Sequence, residues 1–250
     1  KFVFLDEEMG LAIPLGRLEE ALSYRWARVV DSDKYNALFT IGPKHKEIAS
    51  RLMSNKKVKI HDTGWPHLDL WRRDTVPCIS ASQRPHPNNY HLFASSFGAT
   101  TCKDFAALLK TAREHAPFNV QPRMDRERSF YLCLDVLRQF AQQLKGEGTD
   151  LIIRPHNSES PDEWKELFSA YSNVKIRGGG DLYNWLTYAE SILHATSTVG
   201  LQCALAGRRS IVLCPVGTMK ETIQYQLSHE ANSLQDIINF KEVTLKNKEL

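Results

Sequence analysis

The chain lacks several features that would settle its class at once. It has no apolar run of about 18 residues, so no membrane-spanning helix is expected. It has no Cys-x-x-Cys pair, and its five cysteines (Cys78, Cys102, Cys133, Cys203 and Cys214) are an odd number. Free thiols in a reducing compartment fit this usage better than a disulfide framework or a zinc site. Nine histidines are scattered with no His-x-x-x-His or His-Glu-x-x-His spacing, so no metal site is expected. Charge of one sign is also missing: 32 Lys and Arg against 29 Asp and Glu give a net charge of +3. That balance gives no reason to expect a nucleic-acid partner. There is no internal repeat, no low-complexity tract and no phosphate loop of the GxxxxGK[ST] type.

The chain opens on Lys1, and Phe2-Val3-Phe4-Leu5 reads at once as a strand. A basic stretch, an apolar stretch and a small-residue cleavage site are not seen, so this start is expected to be an excerpt beginning in mid-domain. The polar end, Lys241 to Leu250, is compatible with a cut there too. Hydrophobic residues at 42% and charged residues at 24% are ordinary globular usage. The 250 residues allow one large domain or two of about 125 residues.

Strand-like and helix-like runs alternate along the chain, which favours an α/β fold with a mainly parallel sheet. Strands are expected at Lys1–Leu5, Ala37–Ile41, Val58–His61, His91–Ser95, Leu151–Arg154, Val174–Arg177, Ser191–His194 and Ser210–Cys214. The clearest helix is expected from Asp125 to Leu144, with Phe130, Cys133, Leu134, Leu137, Phe140 and Leu144 on one face and Gly146 and Gly148 ending it. Ser160-Pro161-Asp162-Glu163 has the form of a capping box opening a second helix. A third follows Thr198 and ends at Gly207. The proline-containing stretch Asp74 to Asn89 reads as a connection, dividing the chain into units 1–80 and 81–250.

Four segments at strand ends have residues suited to chemistry. Asp6-Glu7-Glu8 follows the first strand and could supply a general acid or base; a solvated acidic loop is the plainer alternative. Thr63-Gly64-Trp65-Pro66-His67-Leu68-Asp69 is a tight turn that could project His67 or Asp69 into a cleft; Asp69 could instead cap a helix. Arg154-Pro155-His156 ends an apolar strand, and Arg and His can hold a phosphate; an ion pair of Arg154 with Glu159 is the structural alternative. Ala195-Thr196-Ser197-Thr198-Val199-Gly200 places hydroxyls before a helix, which suits an anion or simple capping. Gly178-Gly179-Gly180 is expected to be a flexible turn, Trp185 a core residue and Arg208-Arg209 a solvated helix-end pair. The stretch Lys44, Lys46, Lys56, Lys57 and Lys59 could favour an anionic membrane surface, though solvated lysines explain it as well.

Taken in order, these segments resemble the bacterial surface-carbohydrate biosynthesis proteins related to retaining β-Kdo glycosyltransferases of capsule and lipopolysaccharide synthesis. The family's LDEEG segment is similar to Leu5-Asp6-Glu7-Glu8-Met9-Gly10, and its TGNPRFD to Thr63 through Asp69. Its RPHPxE is similar to Arg154-Pro155-His156-Asn157-Ser158-Glu159 followed by Trp164. Its TTG-EA-LxGKPVI is similar to Ser197-Thr198-Val199-Gly200-Leu201-Gln202 through Ile211, and Gln226-Leu227-Ser228 is similar to its tail. Departures are the inserted Met9, Trp65 and His67 in the turn, Asn157 for proline and Gln202 for glutamate.

The resemblance implies a GT-B-like fold: two Rossmann-like halves with mainly parallel sheets facing a cleft, the N-terminal half incomplete. It implies a nucleotide-sugar donor, CMP-Kdo, and a glycan or glycolipid acceptor, with no cofactor, metal or nucleic acid. Asp69 would be the nucleophile and Glu7 or Glu8 the acid/base. Arg154, His156, Ser197, Thr198 and Gly200 would hold the cytidylate, with His156 assisting its departure. A cytoplasmic place at the inner face of the membrane, with peripheral association, follows from that chemistry. The alternatives are a GT-B-shaped epimerase, a polyol-phosphate transferase, and a degenerate module that binds a sugar nucleotide without turnover.

Overall fold

The computed structural model describes residues 2–5, 14–30, 34–54, 56–72, 84–98 and 105–246. Strands β1 (Phe2–Leu5), β2 (Tyr35–Thr40) and β3 (Lys59–Asp62) form a parallel sheet in the order β1-β2-β3. Strands β4 (Tyr90–Ala94), β5 (Asp150–Arg154), β6 (Val174–Ile176), β7 (Ile192–His194), β8 (Ile211–Leu213) and β9 (His229–Ala231) form a second parallel sheet. Its order is β6-β5-β4-β7-β8-β9. The fold is therefore α/β with two parallel sheets. All eight expected strands are present; β9 was not foreseen. The polar strand-end segment holding Glu7 and Glu8, and most of the connection from Asp74 to Asn89, lie outside the described residues.

The small sheet is covered by α1 (Leu18–Val30) and α2 (Pro43–Leu52). Leu22, Trp26 and Val29, one helical turn apart, meet Leu38, Ile48 and Ala49 in one core. In the large sheet, successive strand residues go to opposite faces, as the pleat requires. Phe93, Leu151, Ile153 and Leu193 face a core shared with α5 (Val120–Glu147), α6 (Pro161–Leu167) and α10 (Leu234–Lys246). Leu92, Ala94, Ile152 and Ile192 face the other core, shared with α7 (Leu182–Tyr188) and α8 (Val199–Leu205). Each fully buried Leu, Ile or Phe contributes about 1.5–3 kcal/mol.

The long helix exceeds the expected 125–144 at both ends. Gly146 stays helical, and Gly148, at φ 67°, ends α5 in the left-handed conformation that glycine adopts without steric cost. Ser160 caps α6, its Oγ accepting the Glu163 N–H at 3.4 Å. α8 ends before Gly207 at φ 68°, as expected. Arg208 departs from the expected solvated pair. Its guanidinium donates to the carbonyls of Leu186, Thr187 and Ala189, satisfying the open C-terminal end of α7. Cys133, Cys203 and Cys214 are buried free thiols.

The chain after β8 is pinned by a buried carboxylate. Asp125 on α5 accepts from Thr218 N at 2.8 Å, Thr218 Oγ1 at 2.7 Å and Gln121 Nε2 at 2.9 Å. Gly217 lies so close that an added Cβ would come within 2.5 Å of Asp125 Oδ2. Asp125→Ala leaves the half-buried Thr218 N–H and hydroxyl without their acceptor, so it is expected to cost about 1–3 kcal/mol, read as a lower urea midpoint at unchanged slope.

Candidate functional site

The chain leaves β4 toward β5 and β6, but leaves β7 toward β8 and β9. The order thus reverses between the neighbours β4 and β7. In open α/β sheets the crevice outside the carboxyl ends of such strands is where ligands bind. Residues 95–98 follow β4, residues 195–198 follow β7, and residues 155–160 follow β5.

These three loops are tied to one another. Ser96 Oγ donates to the Ala195 carbonyl across the reversal. The Gly98 N–H donates to Glu159 Oε1 at 2.9 Å, and the Trp164 indole N–H donates to Glu159 Oε2 at 2.9 Å. Glu159 is buried and spends both oxygens as a clamp between the loops after β4 and β5. This replaces the Arg154–Glu159 ion pair that the sequence suggested. The pleat gives the reason: Arg154 follows Ile152 onto the α7 face, whereas Glu159 lies with Trp164 on the α5 face.

Arg154 instead donates to Gly179 O at 2.5 Å and Gly180 O at 3.4 Å, and its Cζ sits 5.5 Å from the centre of the buried Trp185 ring. The glycine run is therefore a seat for a guanidinium, with Gly179 at φ 74° and Gly180 at φ 69°. Burial lowers the Arg154 pKa, and the Asp181 charge works against that. Among the described residues two of its five N–H donors are used, leaving three for a ligand.

His156 is exposed. Its Nδ1 accepts the Ser158 N–H at 3.2 Å and lies 2.7 Å from Ser158 Oγ. Because Nδ1 accepts, the neutral ring carries its proton on Nε2, where it can be donated to an oxyanion.

The hydroxyl loop after β7 is organised by a residue the sequence reading passed over. His194 is fully buried; its Nδ1 accepts the Ser197 N–H at 3.2 Å and its Nε2 lies 2.9 Å from Ser228 Oγ. Nε2–H therefore donates to Ser228, whose hydroxyl in turn donates to Gln224 O at 2.7 Å. Burial lowers the His194 pKa to about 3. Thr196, at φ 51°, turns the chain, Ser197 is half-buried and Thr198 is exposed. Gly200 is buried, and an added Cβ would meet Ser228 Oγ at 2.8 Å and His194 Nε2 at 2.9 Å. Close packing thus requires glycine there, beside the nucleotide role that the resemblance implies.

Asp69 ends the short helix α3 (Pro66–Asp69) and is exposed. Leu68 and Trp71 pack into the α7-side core, and the Trp71 and Tyr183 rings are 5.7 Å apart. Tyr183 opens α7, its N–H capped by Asp181 Oδ1 at 3.0 Å, directly after the glycines that hold Arg154. The turn bearing Asp69 and the strand end bearing Arg154 therefore share one neighbour. Ser95, Ser96 and Gly98 were missed, although the small-residue run after a buried strand was a visible signal. Ser95 Oγ is buried without a hydrogen-bond partner among the described residues.

No protein-family model and no curated protein sequence matches the chain. Among solved structures, it is similar to Anabaena HepE in complex with UDP and glucose, at 11% identity and a TM-score of 0.41, over 99% of this chain and 62% of that one. It is also similar to a Listeria monocytogenes protein assigned as a UDP-N-acetylglucosamine 2-epimerase, at 11% identity and a TM-score of 0.40, over 96% of this chain and 74% of that one. The chain spans less than two thirds of the length of HepE. Among the described residues, no helix is long and apolar enough to cross a membrane.

Two outcomes follow from the His194 network. Gly200→Ala should destabilise the fold by about 1–3 kcal/mol through overpacking, seen as a lower melting temperature. The folded pKa of His194, about 3, lies below the ordinary histidine value of 6.5, so the neutral ring contributes stability that is complete above about pH 6.5 and lost as pH falls toward 3. Urea midpoints measured from pH 7 to 4 should fall less steeply in His194→Gln than in the unsubstituted chain.

Proposed function

We propose that the chain is the donor-binding part, with a portion of the acceptor side, of a retaining glycosyltransferase that uses a nucleotide-activated acidic sugar, CMP-Kdo. Residues 81–250 form the donor unit and residues 1–80 the acceptor-side unit. The observation that carries this reading is the anchoring of the Asp69 turn, through Trp71 and Tyr183, beside the segment that seats Arg154. In a double displacement, the Asp69 carboxylate attacks the anomeric carbon as the bond to the cytidylate oxygen breaks. Arg154 and the Nε2–H of His156 stabilise the negative charge that develops on the departing phosphate. Ser197 and Thr198 hold further phosphate oxygens. Glu7 or Glu8 then takes the proton of the acceptor hydroxyl as it displaces Asp69. The acceptor is a lipid-linked or surface glycan, reached by peripheral association with the membrane. An epimerase, a phosphotransferase or a non-catalytic module would not need the Asp69 carboxylate.

Calorimetric titration without added metal is the test. CMP is expected to bind more tightly than UDP, and His156→Ala to weaken CMP binding about 10-fold or more, the worth of a hydrogen bond to a charged group. Asp69→Asn should leave CMP binding within about twofold while abolishing transfer from CMP-Kdo. Preference for UDP, or binding of neither nucleotide, would overturn the assignment.

A further inference from the structure

Among the described residues, two half-buried arginines on α5 take part in no ion pair. Arg123 and Arg126 are half-buried and three residues apart, hence on one helical stripe. Among the described residues neither guanidinium makes a hydrogen bond or an ion pair. The Arg126 pKa is lowered first by burial and then by the Arg123 charge, with no carboxylate opposing either effect. The nearest acid in sequence on the buried side, Asp125, is committed to Thr218 and Gln121. A pair of like charges, partly removed from water and unpaired, costs the ligand-free fold stability.

Their place in the fold gives that cost a use. One turn beyond Arg126 on the same stripe is Phe130, whose ring lies 5.1 Å from Phe97 and 5.8 Å from Trp164. Phe97 belongs to the loop after β4, and Trp164 donates to the Glu159 clamp. The stripe therefore lies on the α5 side of the sheet, with Arg126 one turn from the contact of Phe130 with the loop after β4. By the alternation of the strand, Ser95 follows Phe93 to this same side, and its buried Oγ has no partner among the described residues. Arg154 reaches the crevice from the opposite, α7 side of the sheet.

We propose that Arg123 and Arg126 form a second oxyanion-binding site, facing the crevice from the α5 side. The chemistry is that of a phosphate or a sugar carboxylate. Assigning that oxyanion to the donor rests on the function proposed above; the anion site itself does not. A donor that carries both a phosphodiester and an acid sugar presents two anionic groups, and the two sides of the sheet offer one cationic seat each. With the sugar carboxylate as its oxyanion, the site selects acidic over neutral sugars.

The test uses the whole chain and the variants Arg123→Gln, Arg126→Gln and Arg126→Lys. Sodium phosphate at ionic strength matched with chloride should raise the melting temperature of the unsubstituted chain. Both glutamine variants should lose most of that rise, and Arg126→Lys should keep part of it. Without phosphate, Arg126→Gln should melt at least about 2 °C higher than the unsubstituted chain, because an uncompensated charge is gone. A purely structural arginine would move it the other way. Calorimetry with CMP, cytidine and free Kdo then identifies the source. A 10-fold loss for CMP alone assigns the phosphate, and the same loss for Kdo alone assigns the carboxylate. Absence of a phosphate-specific rise in the unsubstituted chain, or an equal rise in all variants, overturns the site. If CMP and cytidine both fail to bind while the rise is present and arginine-dependent, the site stands and the nucleotide reading falls.

Discussion

Strands β4 and β7 lie side by side in the larger sheet, and the chain departs from them in opposite directions. That reversal leaves no crossover helix to cover the gap between their carboxyl ends. The loops after β4, β5 and β7 meet around that gap. The Ser96–Ala195 hydrogen bond spans it, Glu159 braces one wall and His194 the other. Glu159 and His194 are buried and hydrogen-bonded, while His156 and Thr198 are left exposed. A rigid second layer beneath exposed polar tips is what a preorganised site needs.

Local pattern reveals much of this fold because parallel strands buried on both faces are written as continuous apolar runs. Leu151-Ile152-Ile153 is such a run, and it lands on β5. β9 escapes the same reading because His229-Glu230-Ala231 is an edge strand with only Ala231 buried. The first turn of α5 escapes because Gln121, Pro122 and Arg123 break the apolar stripe before Phe130 establishes it.

The site was less legible, for a physical reason. Arg154, His156, Ser197 and Thr198 could be named because each sits where a strand ends. Their working partners could not, since which loops meet depends on strand order, and strand order is set by contacts far apart in sequence. Glu159 looked like a partner for Arg154 until the pleat separated them to opposite faces. Gly179 and Gly180 read as part of a flexible turn, whereas the structure has their carbonyls holding Arg154. Gly200 is a nucleotide-binding position only by resemblance, and its missing Cβ is also what lets His194 meet Ser228. Arg208 looked solvated because nothing local shows that the end of α7 needs capping.

Hydrogen–deuterium exchange with and without CMP tests the central claim, that the ligand occupies the reversal between β4 and β7. Protection is expected in residues 95–98, 154–159 and 195–198 together, with the remote α2 and the C-terminal half of α5 unchanged. Protection confined to another surface, or to one of these loops without the other two, would contradict it.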